Sequence, residues 1–172
     1  MRFRHDTWSG GIHLKNSAAG FSLIELIVVM AIMAIVTTIA APSFMQWRQN
    51  AVYREASLDL LGALRKARNF SISNNREYRV EVQLSNRRFR LSEGNLASNS
   101  SAFTPSSWYN FPTSITLRRN ADCLGTADLT FGFNPNGTSN SGYICIMDNS
   151  SPPVRHSRVG IPSASTGRAV AD

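Results

Sequence analysis

Three residues near the amino end, Gly20, Phe21 and Glu25, have types and a spacing that suit proteolysis and ion pairing. Gly20 has no side chain to obstruct a protease subsite, so the bond between Gly20 and Phe21 is a candidate for cleavage. Glu25 is the only charged residue in a mostly apolar stretch that runs from Phe21 to Ala41. A carboxylate in apolar surroundings needs a partner. The segment before Gly20 must therefore present the bond to a protease, and the apolar segment after it must bring a partner to Glu25.

Residues 1–20 form a short polar segment with three basic residues and one acidic residue, a net charge of +2. Ordinary secretory signals are cut after their apolar region, whereas here the small residues Ala18, Ala19 and Gly20 precede it. Cleavage after Gly20 would leave the apolar helix on the mature chain. The basic leader, the glycine before Phe21 and a glutamate five residues past the cut resemble the class III signal of type IV pilins and pseudopilins.

The resemblance implies a processing pathway and an assembly role. A prepilin peptidase at the cytoplasmic face of the membrane would cut between Gly20 and Phe21 and methylate the new amino group of Phe21. Glu25 would then pair with the amino terminus of a neighbouring subunit as subunits enter the filament. Two other interpretations stay open. The helix could be a plain signal anchor that begins with the same pattern, or Glu25 could reach the lipid headgroups.

The stretch from Phe21 to Ala41 predicts a transmembrane helix. Its 21 residues would span about 32 Å at about 1.5 Å per residue, enough for a hydrocarbon core of about 30 Å. Basic residues lie beyond both ends, so they orient the helix only weakly, and we place the leader in the cytoplasm. Pro42 follows directly and lacks a backbone donor, so a kink or local break is expected there. Pilin helices commonly carry a proline at this depth, so the resemblance makes Pro42 an assembly residue.

Residues 42–73 continue the helical pattern and predict an amphipathic half outside the membrane. One apolar line stacks on a single face that should bury against a globular head: Met45, Val52, Ala56, Leu60, Ala63, Ala67 and Phe70. A second, weaker line lies on a different side: Phe44, Trp47, Ala51, Leu58 and Leu61. Either the two faces make two contacts, with the head and with neighbouring helices, or they form one broad core face.

Residues 74–172 predict a β-rich head. Apolar and polar residues alternate over residues 78–84 and again over 88–91, which predicts an antiparallel hairpin. Residues 93–107 are rich in Ser, Asn, Gly and Ala and predict a surface loop. Further short strands are expected at Ile115–Leu117, Leu129–Phe133, Tyr143–Met147 and Arg158–Ile161. The predicted fold class is therefore α+β, a long N-terminal helix packed on an antiparallel β-rich head, as in the pilin-like fold.

Cys123 and Cys145 are the only cysteines of the chain. Both fall in the half that the pilin resemblance places outside the cytoplasm, where an oxidising periplasm would join them. A bond between Cys123 and Cys145 would close a loop of on the order of 20 residues and contribute roughly 3 kcal/mol by the chain-entropy model. Two buried free thiols are the alternative.

The head resembles the H-type minor pseudopilins of type II secretion and their minor-pilin relatives, the GspH/FimT family. The resemblance rests on residues 129–131 after Cys123, the turn at Gly137, the strand at residues 143–146, and the closing Gly167 and Arg168. It implies a minor subunit that helps to initiate a secretion pseudopilus or a type IV pilus near its tip. Implied partners are the prepilin peptidase, other pilin or pseudopilin subunits bound through the N-terminal helix, and an inner-membrane assembly platform. The implied location is the inner membrane, as a single pass with a periplasmic head, and then the filament.

Some members of this family bind DNA in natural transformation through a C-terminal Gly-Arg-x-Arg motif. Here residues 167–170 read Gly-Arg-Ala-Val, and the missing second arginine disfavours DNA binding. The leader takes three of the 18 basic and one of the 11 acidic residues, which leaves a net charge of +5. Arg155, Arg158 and Arg168 could converge on one end and neutralise phosphates. A DNA-binding minor pilin is thus the alternative function, and a scattered, solvated basic surface is the simpler interpretation.

The sequence does not predict an enzyme. His156 is the only histidine beyond the leader, the cysteines are better explained as a pair than as a nucleophile, and the chain has no phosphate-binding glycine-rich loop. Asp122, Asp128 and Asp148 could approach one another as calcium ligands, but their spacing matches no calcium loop. We therefore expect no catalytic residue, no metal and no cofactor.

Overall fold

The computed structural model of the chain describes residues 20–172, apart from the side chains of residues 39–43. The leader predicted over residues 1–20 lies outside the described residues except for Gly20, and the side chain of Pro42 lies outside them too. The chain divides into two compact units, Met1–Ser43 and Phe44–Asp172. All of the strands described belong to the second unit.

A single helix, α1 (Leu23–Asn74), forms the amino-terminal part of the described chain. It begins beyond Ser22, whose carbonyl accepts a helical N–H at 3.2 Å. It ends at Asn74, and the next residue, Asn75, has a left-handed φ of 51°, while the Arg76 N–H donates to the Ser71 carbonyl at 3.3 Å. This is a Schellman-type cap, in which a residue in the left-handed conformation lets the chain satisfy the last helical carbonyls.

The helix continues through Pro42, so the local break expected there is not found. A proline removes one helical hydrogen bond, and the bonds on both sides keep the helix continuous. Within residues 20–172, no helix is both long enough and apolar enough to cross a membrane.

Short strands follow the helix. Within the described residues they are β1 (Tyr78–Gln83), β2 (Arg88–Gly94), β3 (Phe103–Pro105), β4 (Tyr109–Asn110), β5 (Thr116–Arg119), β6 (Leu129–Phe133), β7 (Gly142–Met147), β8 (Arg155–Ile161) and β9 (Val170–Ala171). They form two antiparallel sheets. The first has the order β3-β2-β1-β6, with β4 also paired to β2, and the second has the order β5-β7-β8-β9. The predicted α+β class, a long helix with an antiparallel β-rich head, is confirmed.

One hydrophobic core joins the second half of α1 to both sheets. The helix contributes Ala56, Leu60, Leu61, Leu64 and Ala67, all less than 9% exposed. The sheets contribute mainly β-branched and aromatic side chains: Val80, Val82, Phe131, Phe133, Ile144, Ile146, Val159 and Ile161. The alternation along β1 and β6 places every second residue in this core, which is why those strands are visible in the sequence.

The surface loop predicted over residues 93–107 is wrong in part, because it contains strand β3. Aromatic side chains hold the segment against the outer face of the first sheet. The Arg79 guanidinium lies 3.7 Å from the centre of the Phe103 ring, and Arg88 and Arg90 each lie 4.3 Å from the centre of the Trp108 ring. These cation–π contacts attach Phe103 and Trp108 to the sheet. The loop was predicted from its Ser and Asn content, which gives no weight to single aromatic residues.

Candidate functional site

The candidate cleavage point lies ahead of the helix. Gly20 and Phe21 are exposed, and α1 begins only at Leu23. A Cβ atom added to Gly20 would meet no described atom within 4 Å, and Phe21 is 82% exposed. Among the described residues, the peptide bond between Gly20 and Phe21 is therefore accessible and non-helical, as proteolysis requires.

Glu25 lies in the first turn of α1, and its side chain is exposed. The positive end of the helix dipole favours an acid at this position, typically by about 0.3–1 kcal/mol. No ion pair formed within residues 20–172 involves Glu25. The carboxylate is thus placed where a cation from another chain can reach it.

An apolar helix surface covers the first part of α1 on all sides and includes Phe21, just ahead of the helix. Its large hydrophobic side chains are each at least 49% exposed: Phe21, Leu23, Ile24, Leu26, Ile27, Val28, Val29, Met30, Ile32, Met33, Ile35 and Val36. Thr37 and Thr38 turn their hydroxyls inward, donating to the carbonyls of Met33 at 2.9 Å and Ile35 at 2.7 Å. A helix that is apolar all round needs lipid or protein around it.

The second half of α1 buries one face and exposes another. From the predicted core line, Ala56, Leu60 and Ala67 are buried, whereas Met45 is 63% exposed. The weaker line stays on the surface except for Leu61: Phe44, Trp47, Ala51 and Leu58 are exposed. The head therefore covers one face of this half and leaves the line through Phe44, Trp47 and Leu58 open to other contacts.

Cys123 and Cys145 form a disulfide whose Cα atoms are 5.6 Å apart. Cys145 is fully buried in β7, an inner strand of the second sheet. The Cys123 N–H donates to the Asn120 carbonyl at 3.2 Å, and the Asn120 N–H donates to the Tyr143 carbonyl at 3.1 Å. The bond ties the connection between β5 and β6 to β7, so neither sulfur is available as a nucleophile or a metal ligand.

The arginines predicted for DNA binding have different surroundings. Arg158 donates to the Asp172 carboxylate at 2.6 Å and lies 4.7 Å from the centre of the Tyr143 ring. This ion pair lowers the pKa of the Asp172 carboxyl and occupies the Arg158 guanidinium. Arg155 is exposed on the same strand, whereas Arg168 lines a cavity that includes neither of the other two arginines.

Two further arginines that the sequence did not single out line that cavity with Arg168. Arg65 and Arg68 come from α1, one helical turn apart, and the cavity has a volume of about 350 Å³. Their spacing of three residues places them on one helix face. Nothing in the sequence links them to Arg168, which lies about a hundred positions away, and only the fold brings them together.

The three aspartates considered as calcium ligands bond to the backbone of the head. Asp128 accepts the Leu84 N–H at 2.8 Å, Asp148 accepts the Val154 N–H at 2.8 Å, and Asp122 bonds within its own turn. Each carboxylate therefore stabilises a strand end or a connection. Within residues 20–172, no group of three or more His, Cys, Asp or Glu side chains could hold a metal ion.

His156 connects the end of the second sheet to the helix. Its ring stacks on Tyr53 with centroids 3.8 Å apart, and its Nε2 lies 3.4 Å from a carboxylate oxygen of Asp148. Hydrogen bonds from the Ser150 hydroxyl and the Val154 N–H hold the pKa of Asp148 well below its usual range. These contacts fix the 148–156 segment against α1, which is a structural use of the histidine.

Residues 15–41 match a family model described as the prokaryotic N-terminal methylation motif. The match covers the candidate cleavage point, Glu25 and the apolar helix surface. No curated protein gave a significant match to the chain.

Two solved structures are similar to the chain. The type IV minor pilin FimU of Pseudomonas aeruginosa has 20% sequence identity and a TM-score of 0.50, over 73% of this chain and 92% of that one. The minor pseudopilin EpsH from the Type 2 Secretion System of Vibrio cholerae has 10% identity and a TM-score of 0.50, over 63% of this chain and 88% of that one. At these identities the likeness concerns the fold, and the chain has the pilin-like fold predicted from its sequence.

Proposed function

We propose that the chain is a minor pilin-like subunit that assembles through its N-terminal helix and helps to initiate a type IV pilus or a type II secretion pseudopilus near the tip. The observation that carries this proposal is the apolar helix surface, exposed on all sides with Glu25 in its first turn. Leaving apolar surface in water costs roughly 25 cal/mol per Å². Lipid would cover this surface before assembly, and helices of other subunits would cover it afterwards.

Processing comes first in this proposal. A prepilin peptidase cuts the accessible bond between Gly20 and Phe21 and methylates the amino group that the cut creates. The match to the methylation motif over residues 15–41 supports this step. Removing the polar leader leaves a chain that begins at the apolar helix surface, with one new amino group close to its end.

Assembly uses that amino group. Glu25 of an incoming subunit pairs with the amino terminus of its neighbour, and each charge compensates the other where both lie among apolar side chains. The exposed face through Phe44, Trp47 and Leu58 gives neighbouring helices a second contact. Before assembly the chain lies in the inner membrane with its head in the periplasm, next to the assembly platform. The disulfide between Cys123 and Cys145 suits that oxidising compartment.

The test is substitution at the cleavage point. Gly20→Asp places a charged side chain in the protease subsite, so we expect the chain to keep its leader and to gain no methyl group when it is expressed with a prepilin peptidase. Gly10→Asp makes the same chemical change within the leader and should be processed normally. Intact-mass measurement reads both the shortening and the methylation. A Gly20→Asp chain that is shortened like the wild type would overturn the proposal.

The two filament systems are separated by deleting the gene in its host. Loss of exported proteins from the medium, with surface pili retained, indicates a secretion pseudopilus. Loss of surface pili with normal export indicates a type IV pilus.

A further inference from the structure

An arginine cavity of about 350 Å³ lies beside the second half of α1, lined by Arg65, Arg68, Asn69, Arg168 and Ala169. The three helical residues have the spacing i, i+3 and i+4, so they share one face of α1. No carboxylate lines the cavity. None of its three arginines belongs to an ion pair within the part of the chain that the structure describes.

The positive charges of this cavity have no compensating acid among its lining residues. Three guanidinium groups around one small cavity repel one another, and no acid of the cavity offsets them. Elsewhere in the head, Arg79 and Arg90 both pair with Glu81 at 2.6 Å, and Arg158 pairs with Asp172. The arginine cavity is therefore a place where a bound anion would relieve repulsion that the chain itself leaves in place.

Arg68 is held in position by two glycines. Its Nε donates to the Gly137 carbonyl at 3.4 Å. Gly137 and Gly167 both have left-handed φ values, 82° and 55°. A Cβ on Gly167 would lie 2.1 Å from the Gly137 oxygen and 3.3 Å from the Arg68 Nε, so only glycine allows the two segments to meet against this arginine.

Arg168 is held in position by its neighbours in the chain. Gly167 and Ala169 are buried on either side of it, while Arg168 itself is exposed. The Arg168 N–H donates to the Thr166 hydroxyl at 3.4 Å. The backbone around Arg168 is thus anchored, and Arg168 lines the cavity together with the residues of α1.

We propose that the arginine cavity binds a phosphate group. Guanidinium groups bind phosphate oxygens through paired N–H donors, and the Asn69 amide can add another donor. The volume lies at the low end of the range of about 300–1,000 Å³ for small-ligand sites, so the cavity accommodates one phosphate-bearing ligand or one segment of a longer polyanion. The phosphate site does not require that the chain assemble into a filament.

The first experiment titrates the full chain, in an uncharged detergent, with pyrophosphate and follows binding by calorimetry. Arg65→Gln and Arg168→Gln each remove one charge without touching the contact between Arg68 and Gly137, so we expect each to weaken binding about tenfold or more. Arg155→Gln is the matched control, because it removes one exposed charge outside the cavity, and its binding should equal that of the wild type. Thermal unfolding of each variant checks that the fold is kept.

A second titration distinguishes the source of the phosphate. If a short single-stranded oligonucleotide binds and pyrophosphate displaces it, the natural ligand is a nucleic acid, and Arg168→Gln should lower the salt dependence by about one counterion. If only pyrophosphate binds, the ligand is a small phosphate compound. Absence of binding for both probes would overturn the proposal. An equal loss in the Arg155→Gln control would also overturn it, because that result indicates attraction to net charge alone.

Discussion

At the scale of single residues, the proposed assembly rests most directly on Glu25. It is exposed in the first turn of α1 and forms no ion pair within residues 20–172. Glu25→Gln keeps the size and removes the charge, so we expect the chain to be processed but not incorporated into filaments. An amino terminus left unpaired among apolar helices costs about 3–5 kcal/mol.

The measurement is the share of the chain found in sheared filaments compared with whole cells, by immunoblot. Glu55→Gln, which neutralises another exposed acid of α1, should be incorporated normally. Equal loss in both variants would rule out a specific pairing of Glu25.

Tyr109 gives the head a pH dependence that can be measured. Its hydroxyl donates a hydrogen bond to the Asp59 carboxylate of α1, and that bond, with partial burial, raises the pKa of Tyr109 to about 12. The unfolded value is about 10, so the bond stabilises the fold below about pH 10 and is lost as the pH rises towards 12.

Tyr109→Phe should therefore unfold more easily than the wild type near neutral pH, with a difference that narrows above about pH 10. Chemical denaturation at about pH 8 and about pH 11 measures that difference in the free energy of unfolding. Asp59→Asn removes the charged acceptor. When Tyr109→Phe is made in an Asp59→Asn chain, it should therefore lower the free energy of unfolding by less than it does in the wild type, even at about pH 8. A difference that stays constant over this range would show that the bond between Tyr109 and Asp59 does not set it.

The sequence predicts candidate residues that lie close together in the chain, and it does not predict those that lie far apart. Gly20, Phe21 and Glu25 form one local pattern, so their types and spacing are enough to predict a role. Arg65 and Arg68 read as an ordinary exposed helix face until the fold brings Arg168 beside them. No periodicity connects residues at that separation, because contacts between distant segments depend on the complete topology.

At the scale of elements, strands that bury alternate residues were predictable and very short ones were not. The β1–β2 hairpin and β6 follow from their period of two, and β6 has the bounds that the sequence predicts, Leu129–Phe133. By contrast, β4 and β9 have two residues each and β3 has three. Such strands exist because a neighbouring strand offers hydrogen bonds, and so few residues carry no period of their own.

The packing of the segment before β9 can be tested with two glycines. Gly167→Ala forces a side chain against the Gly137 carbonyl at a left-handed φ, so we expect a loss of about 1–3 kcal/mol in the free energy of unfolding. Gly62→Ala is the matched control, because a Cβ there meets nothing within 4 Å. Because alanine favours a helix more than glycine does, the Gly62→Ala chain should instead gain about 0.5–1 kcal/mol in its free energy of unfolding.

The thermal unfolding midpoint of the full chain, followed by circular dichroism, reads both glycine effects. Opposite shifts are expected, downward for Gly167→Ala and upward for Gly62→Ala. A Gly167→Ala chain as stable as the wild type would mean that the close approach to Gly137 is not needed for the fold.

At the scale of the whole molecule, the two compact units differ in whether their apolar side chains form a core. The unit Phe44–Asp172 has a hydrophobic core of its own, and the Cys123–Cys145 disulfide closes one of its connections. The described part of the unit Met1–Ser43 keeps its large apolar side chains exposed. One unit can therefore fold around its own core, while the other depends on surroundings that a single chain does not supply.

This difference predicts unequal responses to the same substitution in the two units. Val29 is 52% exposed and Leu58 is 54% exposed, both on α1. Val29→Lys places a charge in the middle of the apolar helix surface, where lipid or neighbouring helices would have to receive it at a cost of about 2.5–3.5 kcal/mol. Leu58→Lys adds the same charge on the exposed face of the second half of α1, where water solvates it before assembly. Fractionation of cells should therefore show Val29→Lys shifting from the membrane fraction to the soluble fraction and Leu58→Lys staying with the membranes. Equal behaviour of the two variants would mean that the apolar helix surface is not what holds the chain to membranes.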